Sequence, residues 1–375
     1  MNFQPYPFEK LNRLFLHVKP NENLKQIALT IGEPQFETPE FIQNELKNST
    51  HLLNKYPQIT GDEKLIKAQI DFFQNRFGIL LKSSQIATTV GTREALFSFP
   101  QFLLFDVKEP VIAYPNPFYQ IYEGAAIASR AKSVLMPLLK ENDFKPKIDE
   151  TILKECDLVM LNSPSNPTGS VMSLDELCEW VKMSIKYNFV LANDECYSEI
   201  YTNNPPPSLL NACIKVGNLD FKNVLVFNSI SKRSSAPSLR SGFVAGDENI
   251  LKGYAKFRTY HGCSSPLPIQ MAAAKAWGNE EHVEIAREKY RRNFKLAEEI
   301  LHIKQSEGTF YIWLEVENDE EFAKNLYEKK NVKVLPGSYL GRENIGHDRV
   351  RIALVLEEQD TKEALKRVSE FIKGI

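Results

Sequence analysis

The sequence predicts an α/β fold. It should comprise a large domain, with a mostly parallel central sheet covered by helices on both faces, and a smaller α+β domain built from both chain ends. Runs at residues 111–114, 158–161 and 224–227 are apolar from end to end, which is typical of strands buried on both faces. Helix-like stretches separate most of these runs, as the crossovers between parallel strands require. From about residue 266 onward, short strands alternate with helices instead.

Length and composition are compatible with this division. A chain of 375 residues can form two or three lobes, and 43% apolar with 25% charged residues is ordinary for a globular protein. We expect residues 1–40 to form an N-terminal arm and part of the small domain. Residues 41–265 should form the large domain, and residues 266–375 the small C-terminal domain.

Charge and cysteine usage argue against several classes of partner. A net charge of −2 gives no global field for nucleic acid or an acidic membrane. The N-terminus lacks a secretion signal, and no stretch reaches the length of a membrane span. The cysteines are odd in number and lack the spacing of a metal site, so we expect a cytoplasmic protein without metal. They are Cys156, Cys178, Cys196, Cys213 and Cys263.

The first half of the chain predicts an arm followed by alternating strands and helices. Residues 1–25 are proline-rich and then amphipathic. Thr38 and Pro39 predict a helix start, with Thr38 as the N-cap and Pro39 in the first position. Predicted strands lie at residues 27–31, 86–90 and 111–114, and predicted helices at 65–73, after Gly91 and around 125–128.

The second half continues this pattern and then changes. Ser173 and Glu176 form a capping box, which predicts the start of a helix. Predicted strands follow at residues 158–161, 189–192, 224–227 and 243–246, long helices at 268–277 and 283–303, later strands at 308–316, 332–335 and 350–355, and helices at 320–329 and 361–372.

Polar motifs follow several of the predicted buried strands. Gly91, Asn166, Asp194 and Lys232 each lie just beyond an apolar run. In open α/β sheets, ligands bind at the carboxyl ends of the strands. We therefore expect these residues to share one site.

Lys232 has the most distinctive setting. Enclosure lowers the pKa of a lysine, and its neutral amine can condense with a carbonyl, as in pyridoxal phosphate chemistry. Ser229 and Arg240 would then bind the phosphate. An ordinary surface lysine is the plain alternative. Ser229-x-x-Lys232 also matches the nucleophile motif of penicillin-binding enzymes, but the Ser-Asp-Asn and Lys-Thr-Gly motifs of that class are missing.

Asp194 is the second informative residue. A carboxylate at the end of a buried strand needs a cation, and a protonated pyridine nitrogen would supply one. Tyr197 and Asn166 could hydrogen-bond the phenolic oxygen of the same ring. Taken singly, the three residues have plainer explanations as a helix cap, a core residue and a turn.

Taken together, these residues resemble the fold-type I aminotransferases of class I/II, over residues 31–352. The resemblance implies that residues 41–265 bind pyridoxal phosphate. Lys232 would hold the cofactor covalently and shuttle a proton, Asp194 would pair with the pyridine nitrogen, and Asn166 and Tyr197 would bind the phenolic oxygen. The catalytic residues would thus be Lys232, Asp194 and Tyr197. The phosphate cup would comprise Gly91, Thr92, Arg93, Ser229 and Arg240.

The resemblance also implies a substrate site and a homodimer with shared active sites. Arg351 would bind the substrate carboxylate, helped by Gly32 and Asn166. Tyr56 would reach the phosphate in the neighbouring subunit. The aromatic residue that stacks on the cofactor ring would be Phe118, with Tyr119 as the alternative.

The implied reaction is a ping-pong transfer of an amino group from an amino acid to a 2-oxo acid. Residues 115–125 and 258–262 most resemble succinyldiaminopimelate aminotransferases of bacterial lysine synthesis, which use N-succinyl-diaminopimelate and 2-oxoglutarate. Arg258 and His261 would then lie near the distal end of the substrate. Aspartate, aromatic and LL-diaminopimelate aminotransferases are alternatives, as is a C–S β-lyase. A ligand-sensing regulator would need a DNA-binding module, which residues 1–30 are too short to supply.

Overall fold

The computed structural model describes residues 3–374. Its strands are β1 (Ile27–Ala28), β2 (Ile86–Thr89), β3 (Val111–Asn116), β4 (Lys132–Pro137), β5 (Leu158–Asn162), β6 (Val190–Asp194), β7 (Val224–Ser229), β8 (Gly242–Gly246), β9 (Tyr311–Glu315), β10 (Val332–Lys333), β11 (Leu335–Pro336) and β12 (Arg349–Ala353). Its α-helices are α1 (Pro7–Phe15), α2 (Glu40–Asn48), α3 (Glu63–Phe77), α4 (Thr92–Leu103), α5 (Ile121–Ala128), α6 (Glu150–Leu153), α7 (Leu174–Tyr187), α8 (Leu209–Val216), α9 (Ile230–Arg233), α10 (Glu248–His261), α11 (Leu267–Trp277), α12 (Glu281–Leu301), α13 (Asp319–Lys330) and α14 (Glu358–Ile372).

The central sheet has seven strands in the spatial order β2-β8-β7-β6-β5-β3-β4. Strand β8 runs antiparallel to β2 and β7, and all other neighbouring strands are parallel, so the predicted mostly parallel sheet is confirmed. Val224 and Val226 of β7 belong to one hydrophobic core, whereas Leu225 and Phe227 belong to another. Because successive side chains of a strand point to opposite faces, both faces of the sheet are buried.

Two local features differ from the sequence-based expectation. The edge strand β4 was not predicted, because its first residues are polar and its side chains are mostly exposed or half-buried. Thr38 is not an N-cap: α2 begins at Glu40, and the Thr38 hydroxyl donates to the Ser235 carbonyl at 2.6 Å. The predicted capping box at Ser173 is confirmed.

A further hydrophobic core joins the two ends of the chain. Leu11, Phe15 and Ile27 pack there with residues from α12 to α14. Strand β1 pairs in parallel with β10, and β11, β12 and β9 form an antiparallel sheet. Helix α11 packs in the core of the large sheet. The domain boundary that we propose near residue 266 therefore assigns to the small domain a helix that packs with the large one. No helix within residues 3–374 has the length and apolar character needed to cross a membrane.

Trp277 provides a test of the packing between α11 and the sheet. Its side chain is 1% exposed, and its ring lies 5.0 Å from Phe72 and 5.1 Å from Phe243. Trp277→Ala should lower the free energy of unfolding by about 3–5 kcal/mol, because it leaves a large cavity. Urea denaturation measures the change. Phe105, which is 83% exposed, is the matched control, since Phe105→Ala should stay within ~0.5 kcal/mol of the parent. Equal values for the two variants would contradict this packing.

Candidate active site

A cavity of about 490 Å³ opens at the carboxyl ends of β5, β6 and β7. It is the place where the parallel strands were expected to present a ligand site. The structure brings most of the predicted site residues together in its lining. These are Gly32, Thr92, Arg93, Asn166, Asp194, Tyr197, Ser229, Lys232, Arg240 and Arg351.

Lys232 enters the cavity from α9, the short helix that follows β7. The Ser229 hydroxyl caps this helix by accepting from the Ser231 backbone N–H. The Lys232 Nζ donates to the Gly32 carbonyl oxygen. Burial lowers the pKa of Lys232 to about 8, so much of this amine is neutral at mildly alkaline pH. A neutral buried amine is a competent nucleophile.

Asp194, the last residue of β6, is held by several donors. The Tyr122 hydroxyl donates to its Oδ2 at 2.9 Å, and the Cys196 backbone N–H donates to its Oδ1 at 3.1 Å. The Asn162 side-chain amide fixes the Asp194 carbonyl at 2.9 Å. Burial raises the pKa of Asp194, and these hydrogen bonds oppose that rise. A carboxylate in this setting suits a cationic partner in the cavity. Tyr122 was not predicted as a site residue, because no local pattern shows which side chain of α5 faces β6.

An anion-binding cup lies beside Lys232. The N-terminus of α4 presents Thr92 and Arg93 to the cavity, with Ser229 and Arg240 beside them. Free backbone N–H groups at a helix N-terminus, a hydroxyl and a guanidinium together suit a phosphate. Gly91 lies behind this lining: its φ is +73°, and a Cβ there would lie 2.2 Å from the Arg240 Nη2.

The choice of Phe118 as the stacking aromatic is wrong. Phe118 is 1% exposed, packs against Tyr114 in the core and does not line the cavity. Its neighbour Tyr119, the alternative, does line the cavity. The Arg93 Nε donates to the Tyr119 hydroxyl at 2.7 Å, which ties this ring to the anion-binding cup.

Arg351 is prepared for an anionic ligand. Its Nη1 donates to the Asn166 Oδ1 at 2.9 Å, and its Nη2 donates to the Thr30 carbonyl at 2.7 Å. Its Nε is buried and has no hydrogen-bond partner among residues 3–374. Buried polar groups are rarely left unpaired, so this donor is suited to a carboxylate that arrives with a substrate.

Tyr311 is a cavity residue that the sequence analysis missed. Its hydroxyl lies 3.0 Å from the Tyr197 hydroxyl, and the Arg351 guanidinium lies 4.3 Å from the centre of its ring. A Cβ at Gly32 would lie 1.6 Å from the Tyr311 hydroxyl, so only glycine fits there. The register of β9 against β12 places Tyr311 beside Arg351, and no local pattern predicts that register.

Neither Arg258 nor His261 lines the cavity formed within this chain, and their expected place near the distal end of the substrate stays a prediction. Arg258 is buried, with its Nη1 donating to the Thr88 carbonyl at 2.6 Å and its Nη2 to Glu94 at 3.1 Å. Glu94, His261 and Cys263 bring donor atoms within 4.8 Å of one another. Because Arg258 already neutralises the Glu94 carboxylate, we assign no metal to this group.

Tyr56 lies apart from the cavity of its own chain. Its side chain is 100% exposed, and it follows a short helical turn at residues 50–54. An aromatic side chain in this position is available to contact another molecule.

The donor set fits pyridoxal phosphate, the cofactor expected from the sequence. The anion-binding cup suits its phosphate, Lys232 its aldehyde and Asp194 its pyridine nitrogen. Glycine at positions 32 and 91 lets the Tyr311 hydroxyl and the Arg240 guanidinium lie close to the backbone beside the cavity.

Comparisons with known proteins agree with this geometry. Residues 25–368 match the sequence model of the family described as aminotransferase class I and II. An LL-diaminopimelate aminotransferase of Natranaerobius thermophilus is 30% identical over 390 residues, covering 99% of this chain and 97% of its own. The crystal structure of aminotransferase AspB from Helicobacter pylori has a TM-score of 0.98 at 52% identity and covers 100% of both chains. An aminotransferase from Neisseria meningitidis has a TM-score of 0.94 at 38% identity, covering 99% and 98%.

Gly91 allows a test of the anion-binding cup with a well-matched control. Gly91→Ala should weaken cofactor binding by about tenfold or more, because the new Cβ meets the Arg240 guanidinium. Gly78 has nearly the same backbone angle, φ +72°, but open space around it. Gly78→Ala should therefore lower stability by about 1 kcal/mol and leave cofactor affinity unchanged. Fluorescence titration of the apoenzyme with pyridoxal phosphate measures both variants, and equal affinities would argue against this role of Gly91.

Proposed function

Because this chain belongs to the class I and II aminotransferases, which depend on pyridoxal phosphate, we propose that it moves an amino group from an amino acid to a 2-oxo acid in two half-reactions at one site. One observation carries the proposal. Lys232, with its pKa lowered to about 8, shares a cavity with Asp194 and with an Arg351 that has a free buried donor.

The cofactor, when bound, supplies an electrophilic carbon and a ring that takes up electrons from the substrate. We propose that the Lys232 Nζ would hold the cofactor and that the same amine, when free, would move the proton to and from the substrate Cα. The Asp194 carboxylate would keep the pyridine nitrogen protonated, since an opposite charge at contact distance favours the charged form. Tyr122 and the Cys196 backbone N–H keep that carboxylate oriented.

Residues on the opposite wall of the cavity would orient the substrate. Arg351 would bind the α-carboxylate through its Nε and one Nη, which is the geometry of a bidentate pair. Asn166 already accepts from Arg351 and can donate its amide to the substrate or to the cofactor oxygen. Tyr197 would donate to the phenolic oxygen of the cofactor. We propose Tyr119 as the ring that stacks on the cofactor, in place of Phe118.

For the amino donor we propose N-succinyl-diaminopimelate, with 2-oxoglutarate as the acceptor, as part of lysine biosynthesis. The resemblance of residues 115–125 supports a diaminopimelate derivative, as does the name of the Natranaerobius thermophilus relative. Apolar surfaces of Tyr6, Phe8 and Leu340 also line the cavity, and they suit the methylene chain of a long substrate. The second candidate is unsuccinylated LL-diaminopimelate, because two relatives at 30% identity are named LL-diaminopimelate aminotransferase. Aspartate, aromatic amino acids and C–S bond cleavage remain further alternatives.

We also propose a cytoplasmic homodimer in which each subunit completes the other's site. The fully exposed Tyr56 supports this, since it lies outside its own cavity and is free to reach the phosphate in a second copy. Sedimentation equilibrium of the holoenzyme would contradict the proposal if it found a monomer.

The proposed reaction is tested by leaving out the acceptor. With N-succinyl-diaminopimelate and no 2-oxo acid, the holoenzyme should release about one oxo acid per subunit and then stop, and 2-oxoglutarate should restart it. We expect kcat/KM to fall about tenfold or more for unsuccinylated LL-diaminopimelate, and further for aspartate and phenylalanine. The Lys232→Ala variant is the control and should release nothing. Continuous release of ammonia and pyruvate from a β-substituted amino acid, without acceptor, would instead identify a lyase.

A further inference from the structure

Tyr311 occupies a position where three parts of the site meet. It begins β9, and in the register of β9 with β12 its cross-strand partner is Ala353, while Arg351 faces Trp313. Arg351 is therefore the diagonal neighbour of Tyr311 on the same face, close enough for a long side chain to lie over an aromatic ring. The 4.3 Å separation of the guanidinium from the ring centre agrees with this geometry.

The backbone around Tyr311 is fixed on both sides of the residue. The Thr309 hydroxyl accepts from the Tyr311 N–H at 3.1 Å, and the Ser306 hydroxyl donates to the Tyr311 carbonyl at 2.7 Å. The side chain is 2% exposed and contacts the backbone of Gly32, whose carbonyl accepts from the Lys232 Nζ. The ring therefore has little freedom to move away from its neighbours.

The number of available protons limits which hydrogen bonds the Tyr311 and Tyr197 hydroxyls can make. The Tyr311 and Tyr197 hydroxyls lie 3.0 Å apart, and either could be the donor. Each phenol has a single proton. If Tyr197 gave its proton to Tyr311, it would have none for a cofactor oxygen. If Tyr311 donates, the proton of Tyr197 is free to point into the cavity, and a chain of two hydroxyls polarises the second one.

We propose that Tyr311 is a positioning residue: its hydroxyl donates to Tyr197, which aims the Tyr197 proton at the phenolic oxygen of the cofactor, and its ring supports Arg351. This inference rests on the proposed function, because it takes the role of Tyr197 from there. Tyr311 itself touches neither the reacting carbon nor the proton that Lys232 moves. One residue thereby connects the group that binds the substrate carboxylate with the group that binds the cofactor ring.

Tyr311→Phe tests the hydroxyl, with absorbance of the holoenzyme as the main readout. Without the hydrogen bond from Tyr311, Tyr197 stabilises the phenolate of the cofactor less. The pH midpoint of the visible absorbance change should therefore rise by about half a pH unit. We expect kcat to fall about fivefold while KM for the amino donor stays within about twofold. Tyr290→Phe is the matched control. Tyr290 is also 2% exposed and packs beside Phe310, but its hydroxyl has no partner among the described residues.

A double-mutant cycle separates positioning from a general loss of stability. In the Tyr197→Phe background, Tyr311→Phe should cause no further shift of the absorbance transition. Tyr311→Leu, which also removes the ring beneath Arg351, should match the shift of Tyr311→Phe and raise KM about tenfold.

Two results would overturn the inference. One is an unshifted transition in Tyr311→Phe, and the other is an equal additional shift in the Tyr197→Phe background. These absorbance readouts do not require amino transfer. A lyase would thus disprove the proposed reaction while leaving the role of Tyr311 open to the same measurement, so the two failures are distinguishable.

Discussion

The desolvation of the Lys232 ammonium is the constraint on which the rest of the site depends. An amine taken out of water prefers its neutral form, and this loss of charge is what makes it reactive. The parallel sheet provides the setting, because β7 ends at the same edge as β6 and so brings Lys232 and Asp194 to one cavity. The Gly32 carbonyl accepts from the lysine, which keeps a buried donor satisfied.

The large sheet and the core that joins both chain ends contribute different parts of the candidate site. The large sheet supplies the groups that suit the cofactor, including the α4 N-terminus and Arg240. Strands β12 and β9, which pack in the core that joins both chain ends, carry Arg351 and Tyr311, opposite the Gly32 segment that follows β1. In the proposed function, a substrate carboxylate and a cofactor phosphate would thereby be held by different parts of the fold. The Tyr197–Tyr311 contact is one place where these parts touch directly.

Sequence patterns predicted the large sheet and the residues at its strand ends because both follow from local rules. Continuous apolar runs mark buried parallel strands, and polar residues after them mark the ligand edge. The features that local patterns did not predict depend on how distant segments of the chain pack against each other. The shift of one residue between Phe118 and Tyr119 decides which ring faces the cavity, and the contact of Tyr122 with Asp194 depends on how α5 packs. Thr38 does not cap α2, because its hydroxyl donates to the carbonyl of Ser235, which lies 197 residues away in the sequence.

The pH dependence of cofactor uptake tests the central claim most directly. Rates of pyridoxal phosphate binding by the apoenzyme, measured across neutral and alkaline pH, should rise with a midpoint near 8, because only the neutral Lys232 amine reacts. Reduction with borohydride followed by peptide mass spectrometry should then place the label on Lys232. A midpoint near that of an ordinary lysine, about 10.4, or a label on another side chain, would contradict the account.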